Sequence, residues 1–442
     1  MSGARTSSGS VGAPVGGGLE AILGPNSLHT DFVPIVDLST SEVIGYEAIV
    51  RGPEGSSFRD PVALASAARA MDMTVDLDLV RWAGAVDGAA GMESLQDLPL
   101  FIAIDPDTLP HLPDRGDSGR GSDSGRGRGS GRGRGSGFGT AVLQLDETAL
   151  IRRPAQLLRA VADVRRLGWA IAVDHVGVRP ESLALLPLLE PDVVKLDRSL
   201  ITRAPGRFTA RVVNAVAAYT ERTGAIVMAE GIDSEEAVSI AVALGARTGQ
   251  GLFLTQQNSP PANASAPAAP TLDLRTSPHR GSLPDASPYE LATTGRHSKP
   301  STKRLLVEVS KGLESMAGQS LQTAVILGSF EKNEHFTAHT AHRWEVMATR
   351  AALVGALAVG MNPEPAPRVR GADLEADDPV RDEWVVVVLS PHFAAVLAAK
   401  DMHDTGPDME RRFSYVLSHD PQLTVDCARS LLLRLPVERT GL

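Results

Sequence analysis

The chain has 442 residues, 43% of them apolar but only 4% aromatic, with a formal net charge of -10. That length allows two or three domains with cores built from Leu, Val and Ala, and the acidic balance speaks against broad nucleic-acid affinity. The single cysteine, Cys427 in LTVDCARSLLL, excludes an intrachain disulfide framework and argues against a thiolate metal site. A buried, inert thiol is expected there. The longest uncharged apolar run, AALVGALAVGM at 351–361, is too short to span a bilayer. The N-terminus, MSGARTSSGSVGAPVGGG, lacks a hydrophobic signal core. A cytoplasmic protein with neither a DNA nor a membrane partner is expected.

Residues 1–27 read as a flexible tail, its first 18 positions rich in Gly and Ser. From 28 to 256 strand-like runs alternate with helical ones. FVPIVDL and VIGYEAIVR read as a hairpin pair, DPVALASAARAMDMTVDLDLVRWAGAV as helical, and PLFIAI and AVLQL as strands. Helix PAQLLRAVADVRRLG, strand WAIAVD, helix ESLALLPLLE and strand VVKLD follow, then helix RFTARVVNAVAAYTERTG, strand AIVMAEG and helix SEEAVSIAVALG before QGLFL. Apolar strands alternating with helices imply a parallel sheet covered on both faces. A strand count near eight favours a closed TIM-like β/α barrel. DRGDSGRGSDSGRGRGSGRGRGSG at 114–137 interrupts this unit; with almost no apolar residue it reads as a tolerated disordered insertion.

Residues 257–300, rich in Pro, Ala and Ser, read as a linker. The unit from 301 to 436 reads as a smaller mixed α/β domain. Its strands are TAVILG and EWVVVVLS; its clearest helices are HRWEVMATRAALVGALAVG and PQLTVDCARSLLLRL. His335, His339 and His342 in HFTAHTAH share one helical face, but no cysteine or completed acid motif joins them, so a polar surface is expected. Trp344 and Met347 are expected to pack that helix.

Charged residues recur at strand ends in the first unit: Glu47, Glu147, Asp174, Lys195 and Glu230. On an α/β barrel such residues converge on the C-terminal face, where a metal-dependent site would be built.

YEAIVR at 46–51, within FVPIVDLSTSEVIGYEAIVR, resembles the signature of the EAL-domain family of cyclic di-GMP phosphodiesterases. FIAIDPDTL, VLQLDE, VDHVG, VVKLDRSL, MAEGID and GQGLFL follow in that family's order. The resemblance implies hydrolysis of cyclic di-GMP to linear pGpG by water activated between two divalent cations, Mg²⁺ or Mn²⁺. It implies that Glu47, Glu147, Asp174 and an Asn at position 103 hold one metal. Asp174, an acid at position 175 and Glu230 would hold the other. Lys195 would lie near the attacking water, as base or electrostatic anchor. Arg51 would pair with a ligand phosphate, and Gln250 and an acid at 233 would support the metal–water network.

The chain departs from that pattern at several positions. Ala103 stands for the Asn and His175 for the second Asp, a poor exchange for Mg²⁺ though imidazole accepts Mn²⁺. Asp105, two residues on, is the nearest oxygen to take the place of the Asn. Asp233 replaces a Glu, Gln144 the first Glu of its segment, Val33 a Gln and Val176 a Phe, and VRPESLAL replaces the loop beyond Gly177. The second unit, through ILGSFEKNEHF, EWVVVVLS and RRFSYVLSHDPQLTVDCARSLLLRL, resembles the DICT sensory domain.

Three functions are consistent with these residues. In the first, a degenerate EAL barrel binds cyclic di-GMP or a signalling protein partner with little or no hydrolysis. In the second, the barrel is a weak Mn²⁺- or Mg²⁺-dependent phosphodiesterase. In the third, it is a scaffold that binds no nucleotide. EAL barrels commonly pair, so a homodimer is a further expectation. Glu47, Glu147, Asp174 and Glu230 converging around cation-sized space would favour the phosphodiesterase, a pocket filled by His175 and Lys195 the scaffold, and an open pocket facing Arg51 the receptor.

Overall fold

The computed structural model describes residues 19–24, 27–92, 95, 98–112, 139–146, 149–257, 272, 274, 283–317 and 323–436. The arginine–glycine insertion at 114–137, residues 1–18 of the tail and most of 257–282 lie outside them. The short helix α1 (Leu19–Ile22) buries Leu19 with Val50, Leu64, Ala68 and Leu77.

The first unit is a closed eight-stranded barrel. Its elements are β1 (His29–Asp37), β2 (Val43–Arg51), α2 (Pro61–Ala70), α3 (Thr74–Ala90), β3 (Leu100–Ala103), β4 (Ala141–Asp146), α4 (Ala149–Arg152), α5 (Pro154–Arg166) and β5 (Ala170–Val176). Then come α6 (Ser182–Leu189), β6 (Val193–Leu196), α7 (Ser199–Thr202), α8 (Arg207–Thr223), β7 (Ile226–Glu230), α9 (Glu235–Ala243), β8 (Thr248–Gln250) and α10 (Leu252–Gln257). β1 runs antiparallel to both neighbours, β2 and β8; the remaining pairs are parallel. The stretch read as helical over 60–86 is two helices, parted where Asp72 turns into the left-handed region (φ 56°).

Side chains alternate along each strand. Phe101, Val142, Ala172, Val193 and Met228 plug the barrel interior, while Leu143, Ile171, Val194 and Val227 face the helices. Two residues beyond each plug residue, towards the strand's C-terminal end, stand Ala103, Gln144, Asp174, Lys195 and Glu230. The apolar plug is thus capped by one polar layer at the mouth, a consequence of period two.

The second unit comprises α11 (Pro288–Thr293), β9 (Lys299–Thr302), α12 (Lys303–Ala317), β10 (Val325–Lys332), α13 (Ala338–Ala348), β11 (Leu353–Val359), β12 (Arg370–Asp373), β13 (Glu383–Ser390), β14 (Phe393–Asp401), β15 (Arg412–Ser418) and α14 (Pro421–Leu432). Its seven-stranded sheet has the order β12-β11-β10-β13-β14-β15-β9. The β10–β11 and β11–β12 pairs are parallel and the others antiparallel. The segment HRWEVMATRAALVGALAVG is not one helix: α13 ends at Ala348 and LVGALAV is strand β11. A strand buried on both faces is continuously apolar, so its sequence resembles a buried helix. Trp344 is fully buried and Met347 nearly so. α11 lies within the stretch read as linker, its start held by a capping box between Ser287 and Glu290.

One sheet face packs against α12 and α13 through Ile326, Val386, Val388, Leu313 and Trp344. The other face joins a core that continues into the barrel's helical layer, through Leu327, Val385 and Val387 with Leu423, Cys427 and Leu431 of α14. Arg429 of α14, 2% exposed, fixes this junction. Its Nε and Nη2 donate to the Leu188 carbonyl at the end of α6, at 3.0 and 2.8 Å, and Nη2 lies 3.1 Å from Glu190 Oε2. The arginine thereby satisfies a carbonyl that the helix end leaves unpaired. Cys427 is buried, and burial pushes its thiol well up.

Glu383 at the start of β13 is also buried. It accepts from the Ser287 hydroxyl and from the Tyr289 amide at 3.0 Å, pinning α11 to the sheet. Burial pushes its carboxyl up to about 7 despite those donors. The folded state thus binds this proton more tightly than the unfolded chain does. The resulting stabilisation is complete below pH 4.5, the ordinary value, and is lost as pH rises through about 7. Urea unfolding of the wild type and Glu383→Gln between pH 4.5 and 8 checks this. The wild type should lose about 3 kcal/mol relative to the variant over that range; parallel profiles would contradict the assignment.

Candidate functional site

The polar layer at the barrel mouth is organised by Lys195 on β6. Its side chain is fully buried, and Nζ lies 2.6 Å from Glu230 Oε1, 3.3 Å from Asp174 Oδ2 and 3.3 Å from Glu47 Oε1. Nζ also donates to Gln144 Oε1. Five strands, β2, β4, β5, β6 and β7, thus meet at one ammonium group. Burial alone would pull the lysine down, but Asp174, Glu47 and Glu230 outweigh it and hold Lys195 above its ordinary value. An ammonium so held accepts no proton near neutrality.

Glu47 is committed on both oxygens. Oε1 accepts from Gln144 Nε2 at 2.7 Å as well as from Lys195, and Oε2 accepts from Gln250 Nε2 at 2.6 Å. Gln144 is the residue that sequence reasoning missed. It entered there only as a substitution, although its spacing from Val142 places it on the inward face of β4. Gln250 Oε1 is buried with no hydrogen-bond partner among the described residues.

Asp174 and His175 end β5 in a tight turn. His175 is left-handed (φ 57°), a conformation that histidine tolerates better than most residues, and Gly177 follows at φ 103°. The His175 amide donates to Asp174 Oδ1 at 2.8 Å, and its imidazole is half exposed at the rim. Burial pulls His175 down, but Asp174 and Glu230 prevail and raise it. Burial also raises the Glu230 carboxyl, with Asp174 and Glu47 adding repulsion that Lys195 does not fully offset. Ligand atoms of Asp174, His175 and Glu230 all lie within 4.8 Å of one another.

The remaining expected residues are dispersed. Glu147 lies outside the described residues. Ala103 ends β3 and offers no donor, and Asp105 does not replace it: its Oδ1 accepts from the Asp107 amide, while its own amide is held by Asp78. Asp233 stays out of the acid cluster. Its Oδ1 accepts from the Leu252 amide at 3.1 Å and Oδ2 lies 3.6 Å from Arg198, so it clasps the loop after β7 to the one after β8. Arg51 shares the Glu47 face of β2, one-third exposed at the rim, with Nε 2.6 Å from Asp31 Oδ2. The histidines of HFTAHTAH form no metal group. His335 contacts the Phe330 carbonyl and Glu331, and His342 contacts Glu345.

The donor set can be matched to divalent cations. For the first position Ala103 contributes nothing, Glu47 and Asp174 offer carboxylate oxygens that they share with Lys195, and Glu147 lies outside the described residues. For the second, two carboxylates and an imidazole fit Mn²⁺ better than Mg²⁺. A cation there would compete with Lys195 for Asp174 and Glu230.

Residues 137–257 match the EAL domain, and residues 285–402 match the DICT domain, described as a sensory domain in diguanylate cyclases and two-component systems. Glu47 and Arg51 precede the first match. The chain is 28% identical over 174 residues to the blue light- and temperature-regulated antirepressor BluF of Escherichia coli, covering 39% of this chain and 40% of that protein. It is 31% identical over 119 residues to a cyclic di-GMP phosphodiesterase of Pseudomonas aeruginosa, covering 27% of this chain and 20% of the relative. The chain therefore spans less than half the length of these relatives. Among solved structures, the Klebsiella pneumoniae BlrP1 complex with manganese and cyclic di-GMP is 26% identical, with TM-score 0.41, over 52% of this chain and 55% of that one. The Xanthomonas citri FimX EAL domain with cyclic di-GMP is 17% identical, with TM-score 0.41, over 53% and 89%. No helix among the described residues is long and apolar enough to cross a membrane. The chain carries an EAL domain followed by a DICT sensory domain.

Proposed function

We propose that the barrel is a receptor for cyclic di-GMP that hydrolyses it little or not at all. The observation that carries binding is Arg51, one-third exposed at the rim on the Glu47 face of β2; against hydrolysis stands the Lys195 ammonium among Glu47, Asp174 and Glu230 at 2.6–3.3 Å. The carboxylates that would gather two cations are already neutralised in part by a cation of the protein. Glu47 shares its oxygens among Lys195, Gln144 and Gln250, so a metal there would compete with three protein donors. Ala103 lacks the oxygen of the Asn that the resemblance implies. Binding makes smaller demands than hydrolysis. Arg51 at the rim keeps a guanidinium that can donate to a phosphate in exchange for Asp31.

A second reading rests on the convergence of Asp174, His175 and Glu230. These residues would hold one Mn²⁺, which when bound supplies an activated water and a positive charge beside a phosphodiester. Lys195 would then orient Asp174 and Glu230 rather than move a proton. The protein would be a slow Mn²⁺-dependent phosphodiesterase yielding linear pGpG.

The test is incubation of the purified protein with cyclic di-GMP and Mn²⁺ or Mg²⁺, with nucleotides separated and binding of intact ligand measured in parallel. Saturable binding without linear product is expected, weakened at least tenfold by Arg51→Ala, about 1.4 kcal/mol. Linear product that disappears in Glu47→Ala would establish the second reading instead. Neither binding nor product would leave the barrel as an interaction scaffold.

The role of Lys195 is checked separately by urea unfolding of Lys195→Met. Removing one partner of a buried charge cluster leaves three carboxylates repelling each other, so a loss of about 3–5 kcal/mol is expected at pH 7. The loss should shrink as pH falls and Glu230, already raised by burial and its neighbouring acids, takes up a proton. A variant as stable as the wild type at pH 7 would show that the ammonium does not hold the mouth together.

A further inference from the structure

On the sheet face away from the barrel, α12, α13 and β13 enclose a cavity of about 440 Å³, a volume typical of small-molecule sites. Its floor is aromatic: Phe330, Trp384 and Phe413 line it. The Trp384 and Phe413 rings meet edge-on at 5.8 Å, and Phe330 sits edge-on against the buried Trp344 at 5.1 Å. Aromatic rings stack a flat guest on a free face; Arg411 already lies over one face of Phe413, 5.3 Å from its centroid.

Polar groups on the wall are of two kinds. The lining cations are already partnered: Lys303 with Asp408 and Lys311 with Glu308, each at 2.7 Å, and Arg343 with Glu314. They leave little uncompensated positive charge for an anionic guest. Two lining acceptors differ. Ser310, 5% exposed, has a hydroxyl with no hydrogen-bond partner among the described residues, and neither has Oε1 of Glu331, 9% exposed. Glu331 is ion-paired on both sides, Oε1 with Arg411 Nη2 at 3.5 Å and Oε2 facing His335 Nδ1 at 3.1 Å, but Oε1 lacks a directed hydrogen bond. Glu331 reaches its position through a left-handed backbone (φ 57°) where the pairing of β10 with β11 slips between Ser329 and Lys332. Strained, bulged strand positions cluster where a side chain is aimed at a ligand. A buried oxygen without a donor costs stability unless a guest supplies one.

We propose that this cavity binds a small planar aromatic or heteroaromatic molecule bearing an N–H donor, its ring on Phe330, Trp384 and Phe413 and its donor on Glu331 and Ser310. A cationic amine gains further from the aromatic faces, whereas a carboxylate on the same ring meets Glu331 and Glu314. The site is independent of what the barrel does with a nucleotide.

Calorimetry and saturation-transfer NMR on the whole chain, with indole, tryptamine and indole-3-acetate as probes, test it. Tryptamine and indole should bind, and indole-3-acetate at least tenfold more weakly than tryptamine. Glu331→Gln should weaken tryptamine at least tenfold. Val307→Trp, which fills the cavity from α12, should abolish binding while the melting temperature holds; Thr340→Trp does the same from α13 should the first variant misfold. Binding of none of the three probes, preference for indole-3-acetate, or binding that survives a folded cavity-filling variant would overturn the proposal.

Discussion

A fully buried lysine ammonium is the constraint on which the barrel mouth depends. Removing such a charge from water is costly, and it is tolerated only where opposite charges and hydrogen-bond acceptors surround it. Lys195 finds Glu47, Asp174, Glu230 and Gln144, which arrive from four other strands. The dependence is mutual. Without the ammonium, three carboxylates would face each other above an apolar plug. Gln250 extends the network to β8 by holding the second oxygen of Glu47. The acids that resemble a metal-binding set in sequence share an ammonium of the chain itself.

The second dependence is between the two domains. α14 serves one sheet face of the second domain and the helical layer of the barrel at once, so the two cores are continuous. Its buried Arg429 caps α6, and α6 leads directly into β6, the strand of Lys195. The opposite sheet face carries the aromatic cavity. The sheet is therefore the material between that cavity and the barrel.

Much of the architecture was legible because it is local. Period-two alternation and apolar runs marked the barrel strands, and the same alternation put Asp174, Lys195 and Glu230 on inward faces. Where local signals compete, one reading failed. LVGALAV is as apolar as a buried helix, and only its pairing between β10 and β12 makes it a strand. Asp233 is an acid after a strand like Glu230, yet it sits beyond the strand end and turns to the Leu252 amide. Asp105 continues the alternation of β3 on paper, but its loop is held by Asp78 and its carboxylate by the Asp107 amide.

By itself the sequence determined the family, the order of strands and helices, and which charged residues line one face, because these follow from side-chain type and spacing along the chain. Tertiary structure alone decided that Lys195 fills the space among the acids, that Gln144 and Gln250 engage Glu47, and that Arg429 welds the two domains. Those facts depend on how eight strands close and stagger and on which helix end meets which side chain. Partners 97, 148 and 241 residues apart in the chain are brought together by non-local geometry that no spacing encodes.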